Sequence, residues 1–82
     1  MKKTDFYLKI EDPYEEDDVC TMSISAWNEK HMIDRHLCEE FPELEELDLA
    51  DLAEGALEYS GDMSKEEMST ALEKLGFKTK VV

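Results

Sequence analysis

Residues 37–64 carry ten carboxylates and not one lysine or arginine, which is the strongest constraint that this sequence places on its fold. Leucines and alanines recur through the same stretch at the spacing of an amphipathic helix, so it predicts folded structure and not a disordered tail. Close like charges repel each other, and this repulsion opposes folding. The apolar stripe must therefore offset it by packing against another part of the chain. The alternating segments on either side predict that this other part is a small sheet.

Three segments predict half-buried strands because apolar and polar residues alternate along them: 4–11, 19–27 and 77–82. The first two segments flank a short acidic loop that contains Pro13, which predicts an antiparallel hairpin. Within the second segment, Ser25 is expected on the face that is turned away from the core.

Three helices are predicted between the second and third strands, and the first two begin at residues of N-cap type. Asn28 has the residue type of an N-cap and predicts a helix over residues 29–41. Trp27, just before this cap, is expected to pack on Met32 as a hydrophobic staple. Asp48 is the predicted N-cap of a second helix, because a stripe of leucines and alanines follows it at helical spacing.

A third helix has the clearest signals. Ser64 and Glu67 form a capping box at its start, and Gly76 is expected to end it in a left-handed conformation. The element order is then β-β-α-α-α-β, an α+β fold in which a small, mainly antiparallel, three-stranded sheet is covered on one face by helices. A chain of 82 residues has room for one core, so residues 1–82 are predicted to form a single domain.

The net charge of −13 comes from 22 acidic and nine basic residues, and it makes direct binding to nucleic acid or to anionic lipid unfavourable. The sequence has neither a signal peptide nor a run of about 20 apolar residues, so a cytoplasmic protein without a membrane segment is expected. It also has no glycine-rich phosphate loop, no G-x-S-x-G and no H-E-x-x-H motif. Neither an enzyme nor a bound cofactor is therefore predicted.

Cys20, Cys38, His31 and His36 are the only soft metal ligands in the sequence. The two histidines do not have the i, i+4 spacing that holds zinc on one helix, so polar surface and buried, reduced thiols are predicted instead. Residues 60–77 resemble the helical half of an EF-hand, but the preceding loop lacks the oxygen ligands that calcium needs. No metal site is predicted.

Two dense acidic clusters are the candidate binding surface: a hairpin-loop cluster within residues 11–18 and an acidic segment over residues 39–51. A protein with no use for such charge would be expected to intersperse lysines. A rigid array of carboxylates, in contrast, imitates the regular line of phosphates in duplex DNA. The candidate partner-binding residues are Tyr14, Glu15, Glu16, Asp17 and Asp18 in the hairpin loop and Glu39, Glu40, Glu43, Glu45, Glu46, Asp48 and Asp51 in the acidic segment.

The first functional hypothesis is a non-enzymatic inhibitor that occupies the basic, nucleic-acid-binding surface of a host protein. In size, acidity and absence of catalytic motifs, the chain resembles small phage-encoded accessory proteins, among them DNA-mimicking anti-restriction and anti-CRISPR inhibitors. The resemblance lies in composition and assigns no role to individual residues.

Two alternatives are left open at this point. In one, the charge only keeps the protein in solution. In the other, the chain is a generic α+β interaction or subunit domain, including a homodimer, with apolar contacts through Tyr7, Trp27 or the helix faces. Binding that is insensitive to salt would favour the second alternative. The basic residues near the chain ends, which form a weakly positive side if the terminal strands are neighbours, are Lys2, Lys3, Lys78 and Lys80.

Overall fold

The computed structural model describes residues 1–12 and 22–82 and shows an α+β fold with a six-stranded mixed sheet and three short helices. The predicted three-stranded sheet is wrong, since two of the predicted helical regions contribute strands. In chain order the elements are β1 (Tyr7–Glu11), β2 (Met22–Asn28), β3 (His31–Met32), α1 (Leu37–Glu40), a 3-10 helix (Pro42–Leu47), β4 (Leu49–Ala53), β5 (Ala56–Tyr59), α2 (Lys65–Lys74) and β6 (Lys78–Val81).

The strands lie in the order β4-β5-β2-β1-β6, and β3 pairs with the end of β2. The antiparallel pairing of β1 with β2 confirms the predicted hairpin, in a register that places Leu8 opposite Ala26. The last strand, β6, runs parallel to β1, so the two ends of the chain are neighbours. Within the described part of the chain, no helix combines the length and the apolar character needed to cross a membrane.

The helix predicted over residues 29–41 is wrong for most of its length. Strand β2 continues to Asn28, and the backbone of Glu29 then takes a left-handed conformation with φ 56°. A left-handed residue ends helical geometry, so the chain makes a tight turn in which Asn28 pairs with His31. Trp27 and Met32 do lie side by side, but as cross-strand partners and not as a helix staple. Helical structure begins only at Leu37 and lasts four residues.

The helix predicted after Asp48 is also wrong, because this region forms the β4–β5 hairpin. Asp48 has φ 60° and ends the 3-10 helix instead of starting a new helix. Gly55 forms the hairpin turn with φ 78°, and its N–H donates to the Arg35 carbonyl at 2.7 Å. The leucines fit a helical period, but β5 forms its backbone hydrogen bonds with β2 in the sheet. As a result, Leu52 is 62% exposed on the edge strand β4.

Helix α2 confirms the prediction made from its caps. Ser64 Oγ accepts a hydrogen bond from Glu67 N–H, and Glu67 Oε1 accepts one from Ser64 N–H, both at 3.2 Å. Gly76, with φ 100°, follows the helix in the left-handed conformation expected of a C-terminal glycine. Local signals were sufficient here because both ends of the helix are specified within a few residues of sequence.

Replacing Ser64 with alanine is expected to lower the free energy of unfolding by about 1 kcal/mol, since the first turn of α2 loses its side-chain acceptor. Urea unfolding followed by circular dichroism measures the change. Ser60→Ala is the matched control, because Ser60 is exposed and its side chain makes no hydrogen bond among the described residues. Equal losses in the two variants would contradict the role assigned to the cap.

The core lies between the sheet and the helices. It joins Leu8, Ile10 and Ile24 of the central strands to Leu44 of the 3-10 helix and Leu72 of α2. Alternate side chains of the strands point to the opposite side, which is called the open face below.

Ser25 lies on the open face, as predicted, yet it is only 7% exposed. The burial is explained by its neighbour on the same strand, since the indole N–H of Trp27 donates to Ser25 Oγ at 2.8 Å. Trp27 therefore lies over Ser25 and shields the hydroxyl from solvent.

Candidate partner-binding surface

The acidic segment over residues 39–51 is held in place by leucines that alternate with its carboxylates. Leu37, Leu44 and Leu49 are almost completely buried, so α1, the 3-10 helix and the start of β4 are each anchored to the core. Anchored turns of this kind lose little conformational entropy when a partner binds. The carboxylates between the anchors therefore stand on a fixed backbone.

Three of the seven predicted partner-binding carboxylates in this segment are used inside the protein. Arg35 pairs with Glu40 at 2.5 Å, and Lys3 pairs with Glu43 at 2.7 Å. The hydrogen bond from the Lys3 ammonium also lowers the pKa of the Glu43 carboxyl. Asp51 Oδ1 accepts a hydrogen bond from the N–H of Cys38 at 3.1 Å and so ties β4 to α1. These three side chains therefore make contacts within the protein itself.

The other four carboxylates of the segment are exposed and have neither an ion pair nor a side-chain hydrogen bond among the described residues. They are called the free acidic group: Glu39, Glu45, Glu46 and Asp48. Uncompensated like charges on a short, anchored backbone repel one another, and an approaching cationic surface would relieve that repulsion.

The hairpin-loop cluster lies mostly outside the described residues. Tyr14 and the four carboxylates of residues 15–18 fall in the part of the chain that the structure does not describe. Of the two flanking carboxylates, Glu11 pairs with Lys9 at 3.4 Å and Asp12 pairs with Lys65 at 3.2 Å.

The sheet register places Asp12, at the edge of the hairpin-loop cluster, at the same end of the sheet as Asp48 of the acidic segment. Asp12 follows β1 at the end where β2 begins with Met22, and Met22 pairs with Tyr59. Tyr59 pairs in turn with Leu49, which directly follows Asp48. Asp12 and Asp48 are therefore about three strand spacings apart, roughly 14 Å, along one end of the sheet.

Cys38 is a free thiol buried beneath the acidic segment, as predicted, whereas Cys20 lies outside the described residues. The Sγ atom of Cys38 lies 3.7 Å from the carbonyl oxygen of Leu49. Burial, followed by the charges of Asp51 and Glu45, raises the pKa of the Cys38 thiol to about 11. A buried thiol with so high a pKa stays protonated at neutral pH and is a poor nucleophile.

Among residues 1–12 and 22–82, no group of three or more histidine, cysteine or acidic side chains is placed to hold a metal ion. His31 lies in β3 and His36 precedes α1, so the two histidines are not on a common helix.

The open face carries a different set of residues from the acidic segment. Tyr7 of β1 is directly opposite Trp27 of β2, and on its other side it is opposite Lys78 of β6. In the next row, Lys80 is opposite Lys9. Lys9, Lys78 and Lys80 thus lie on this face with the two aromatic residues, whereas Lys3, which the sequence grouped with Lys78 and Lys80, pairs instead with Glu43 of the 3-10 helix.

Sequence reasoning identified Tyr7 and Trp27 only as separate exposed aromatics. It missed that Asp5 and Glu29 lie beside them, at the end of the sheet where β1 starts and β2 finishes. The sequence contains no local signal for this grouping, because it depends on the register of β1 with β2 and on the turn at Glu29.

Comparison of the chain with protein-family models, with curated proteins and with solved structures finds no match.

Proposed function

We propose that this protein is a non-enzymatic binding protein whose acidic segment contacts the basic, nucleic-acid-binding surface of another protein. The observation that carries the proposal is the free acidic group. Four exposed carboxylates, Glu39, Glu45, Glu46 and Asp48, have no partner in the part of the chain that the structure describes, although the segment that bears them is anchored by buried leucines.

The spacing of these carboxylates supports a partner built to bind phosphates. Glu45, Glu46 and Asp48 span three residues, or about 6 Å at the rise of a 3-10 helix. Two phosphate steps along one strand of duplex DNA cover about 7 Å of helix axis. The segment therefore offers a charge density similar to that of a nucleic acid strand, and the total charge of −13 would steer a basic partner toward it.

The test is a variant in which two charges of the free acidic group are reversed and a third is neutralised without altering the fold: Glu45→Lys, Glu46→Lys and Asp48→Asn. Asparagine is chosen at position 48 because it tolerates the left-handed backbone there. Affinity for the partner is expected to fall on the order of 100-fold at moderate salt, since three attractive charges are lost and two become repulsive. The partner is first captured with the tagged wild-type chain from a bacterial lysate, and its affinity for each variant is then measured by calorimetry.

The matched control makes the same change in net charge elsewhere: Asp34→Lys, Glu54→Lys and Glu66→Gln. These three side chains are exposed and have no partner among the described residues. Their replacement is expected to weaken binding by less than about tenfold, through the loss of long-range attraction alone. Equal losses in the two variants would show that net charge and not the acidic segment matters. Unchanged affinity of the first variant, or capture of a partner without a basic surface, would overturn the proposal.

A generic interaction or subunit domain is the second candidate, because the structure exposes several large apolar side chains, two of which lie in β3 and β4. Leu52 on the edge strand β4 is 62% exposed, and Met32 in β3 is 46% exposed. An interface built on these residues would be insensitive to ionic strength, whereas the acidic segment would release its partner as salt rises. The same capture experiment, washed at low and then at high salt, distinguishes the two candidates.

A further inference from the structure

A shallow cleft opens at the end of the sheet where β1 begins and β2 ends. Its volume is about 190 Å³, and its walls include Tyr7, Trp27, Asp5 and Glu29. Small-molecule sites usually measure about 300–1,000 Å³. The cleft is therefore of a size for one side chain of a partner and not for a whole cofactor or metabolite.

The two aromatic walls are fixed by the sheet. Tyr7 and Trp27 are direct cross-strand partners, and the indole is held by its hydrogen bond to Ser25 Oγ. Lys9 Nζ lies 5.4 Å from the centroid of the Trp27 ring, so this ring already takes part in one cation–π contact.

The two carboxylates of the cleft are positioned by turns. Asp5 Oδ2 accepts a hydrogen bond from Lys2 N–H at 3.0 Å, which leaves its other oxygen free. Glu29 is held by the turn between β2 and β3 in a left-handed conformation that glutamate seldom adopts. Neither carboxylate forms an ion pair within the described part of the chain. Lys78, which also lines the cleft, offsets only one of the two negative charges.

We infer that this cleft binds the guanidinium group of an arginine side chain. A guanidinium is planar and stacks on aromatic rings, and its donors match carboxylate oxygens in pairs. The cleft supplies both features, because Tyr7 and Trp27 form the walls and Asp5 and Glu29 carry the acceptors. The net charge of −13 further favours a cation over an anion here. That the arginine comes from a basic partner rests on the proposed function, whereas binding of a guanidinium group in the cleft does not.

The experiment uses the single tryptophan of the chain as reporter, since both the indole fluorescence and the Nε1–H resonance then come from Trp27 alone. The intact protein is titrated with N-acetylarginine amide, and N-acetylcitrulline amide is the uncharged control of the same shape. A saturable change in the millimolar range is expected with the arginine compound, and binding at least about tenfold weaker with the citrulline compound. Equal responses to the two compounds would overturn the inference.

Two variants test which groups bind the guanidinium. Asp5→Asn together with Glu29→Gln is expected to weaken binding of N-acetylarginine amide about tenfold, because the acceptors lose their charge. Glu66→Gln, on α2, is expected to have no effect. An unchanged response in the double variant, or saturation by N-acetylglutamate amide in place of the arginine compound, would also overturn the inference.

Failure of the cleft and failure of the proposed function give different results. If the free amino acid derivatives do not bind but reversal of the acidic segment still releases the partner, the cleft assignment is wrong and the proposed function stands. If the arginine compound binds at Trp27 but reversal of the acidic segment leaves partner affinity unchanged, the cleft stands and the proposed function is wrong.

Discussion

Replacing Gly55 with alanine is expected to destabilise the protein by about 3 kcal/mol, more than half of the roughly 5 kcal/mol that a domain of this size can lose before it unfolds. The backbone of Gly55 has φ 78°, where a side chain is strained. A Cβ built at this position would lie only 2.0 Å from the carbonyl oxygen of Ile33. That oxygen belongs to the backbone, so no side-chain rotation can make room for the added methyl group.

The backbone around Gly55 also has little freedom to shift. Its N–H donates to the Arg35 carbonyl at 2.7 Å, and its carbonyl accepts from the Ala26 N–H at 2.8 Å. Moving the turn away from Ile33 would break one of these bonds and disturb the β4–β5 hairpin, which carries one end of the acidic segment.

Gly76→Ala is the control that separates backbone strain from steric overlap. Gly76 also has a positive φ, but the nearest atom to an added Cβ would be Lys3 Cδ at 3.5 Å, an ordinary contact. A loss of about 1 kcal/mol is expected there from conformational strain alone. Urea unfolding of both variants measures the difference, and equal losses would contradict the close approach at Gly55.

The elements that the sequence predicts correctly are those whose signals are local. Strand β1 is predicted by the alternation of Leu8 and Ile10 with polar residues, and α2 is predicted by the capping box of Ser64 and Glu67. The predicted helix over residues 29–41 fails, although Ile33, Leu37 and Phe41 are buried. For these three residues the spacing predicted burial but not the backbone that carries them.

The β4–β5 hairpin could not be predicted for a physical reason. Leu49, Leu57 and the alanines between them fit a helical stripe, and nothing nearby in sequence favours a strand. The strand forms because β5 completes the ladder of β2, and Gly55 meets Ala26 and Arg35, which are distant in sequence. Tertiary pairing here overrides the local pattern.

The candidate site was likewise only partly predictable from the sequence. The concentration of negative charge over residues 39–51 was evident from the sequence, but the separation of free from internally paired carboxylates was not. Glu43 is paired with Lys3, forty positions earlier in the chain, and Asp51 is paired with the backbone of Cys38. Only the fold brings these groups together, so only the fold separates them from Glu39, Glu45, Glu46 and Asp48, which have no partner among the described residues.

Replacing Phe41 with alanine is expected to cost about 3–5 kcal/mol, which removes most or all of the roughly 5 kcal/mol that stabilises a domain of this size and leaves up to about half of the molecules unfolded at room temperature. Phe41 packs against Phe6 and Phe77 with ring centroids 5.9 and 5.3 Å away, the second in an edge-to-face arrangement. Phe6 and Phe77 precede the two neighbouring strands β1 and β6, so the three rings join the acidic segment to both ends of the chain. The lost ring leaves a cavity that the two remaining rings cannot close.

Phe41→Leu is the matched variant, because leucine keeps most of the buried volume and loses only the ring contacts. A loss of roughly 1–2 kcal/mol is expected for it, and the difference between the two variants measures the cavity. Because Phe41 also lies at the junction of α1 and the 3-10 helix, any folded Phe41→Ala protein should bind its partner more weakly, although every carboxylate is retained. If folded Phe41→Ala binds the partner with wild-type affinity, the acidic segment does not need its anchor. The free carboxylates would then act as a flexible charge and not as a fixed array.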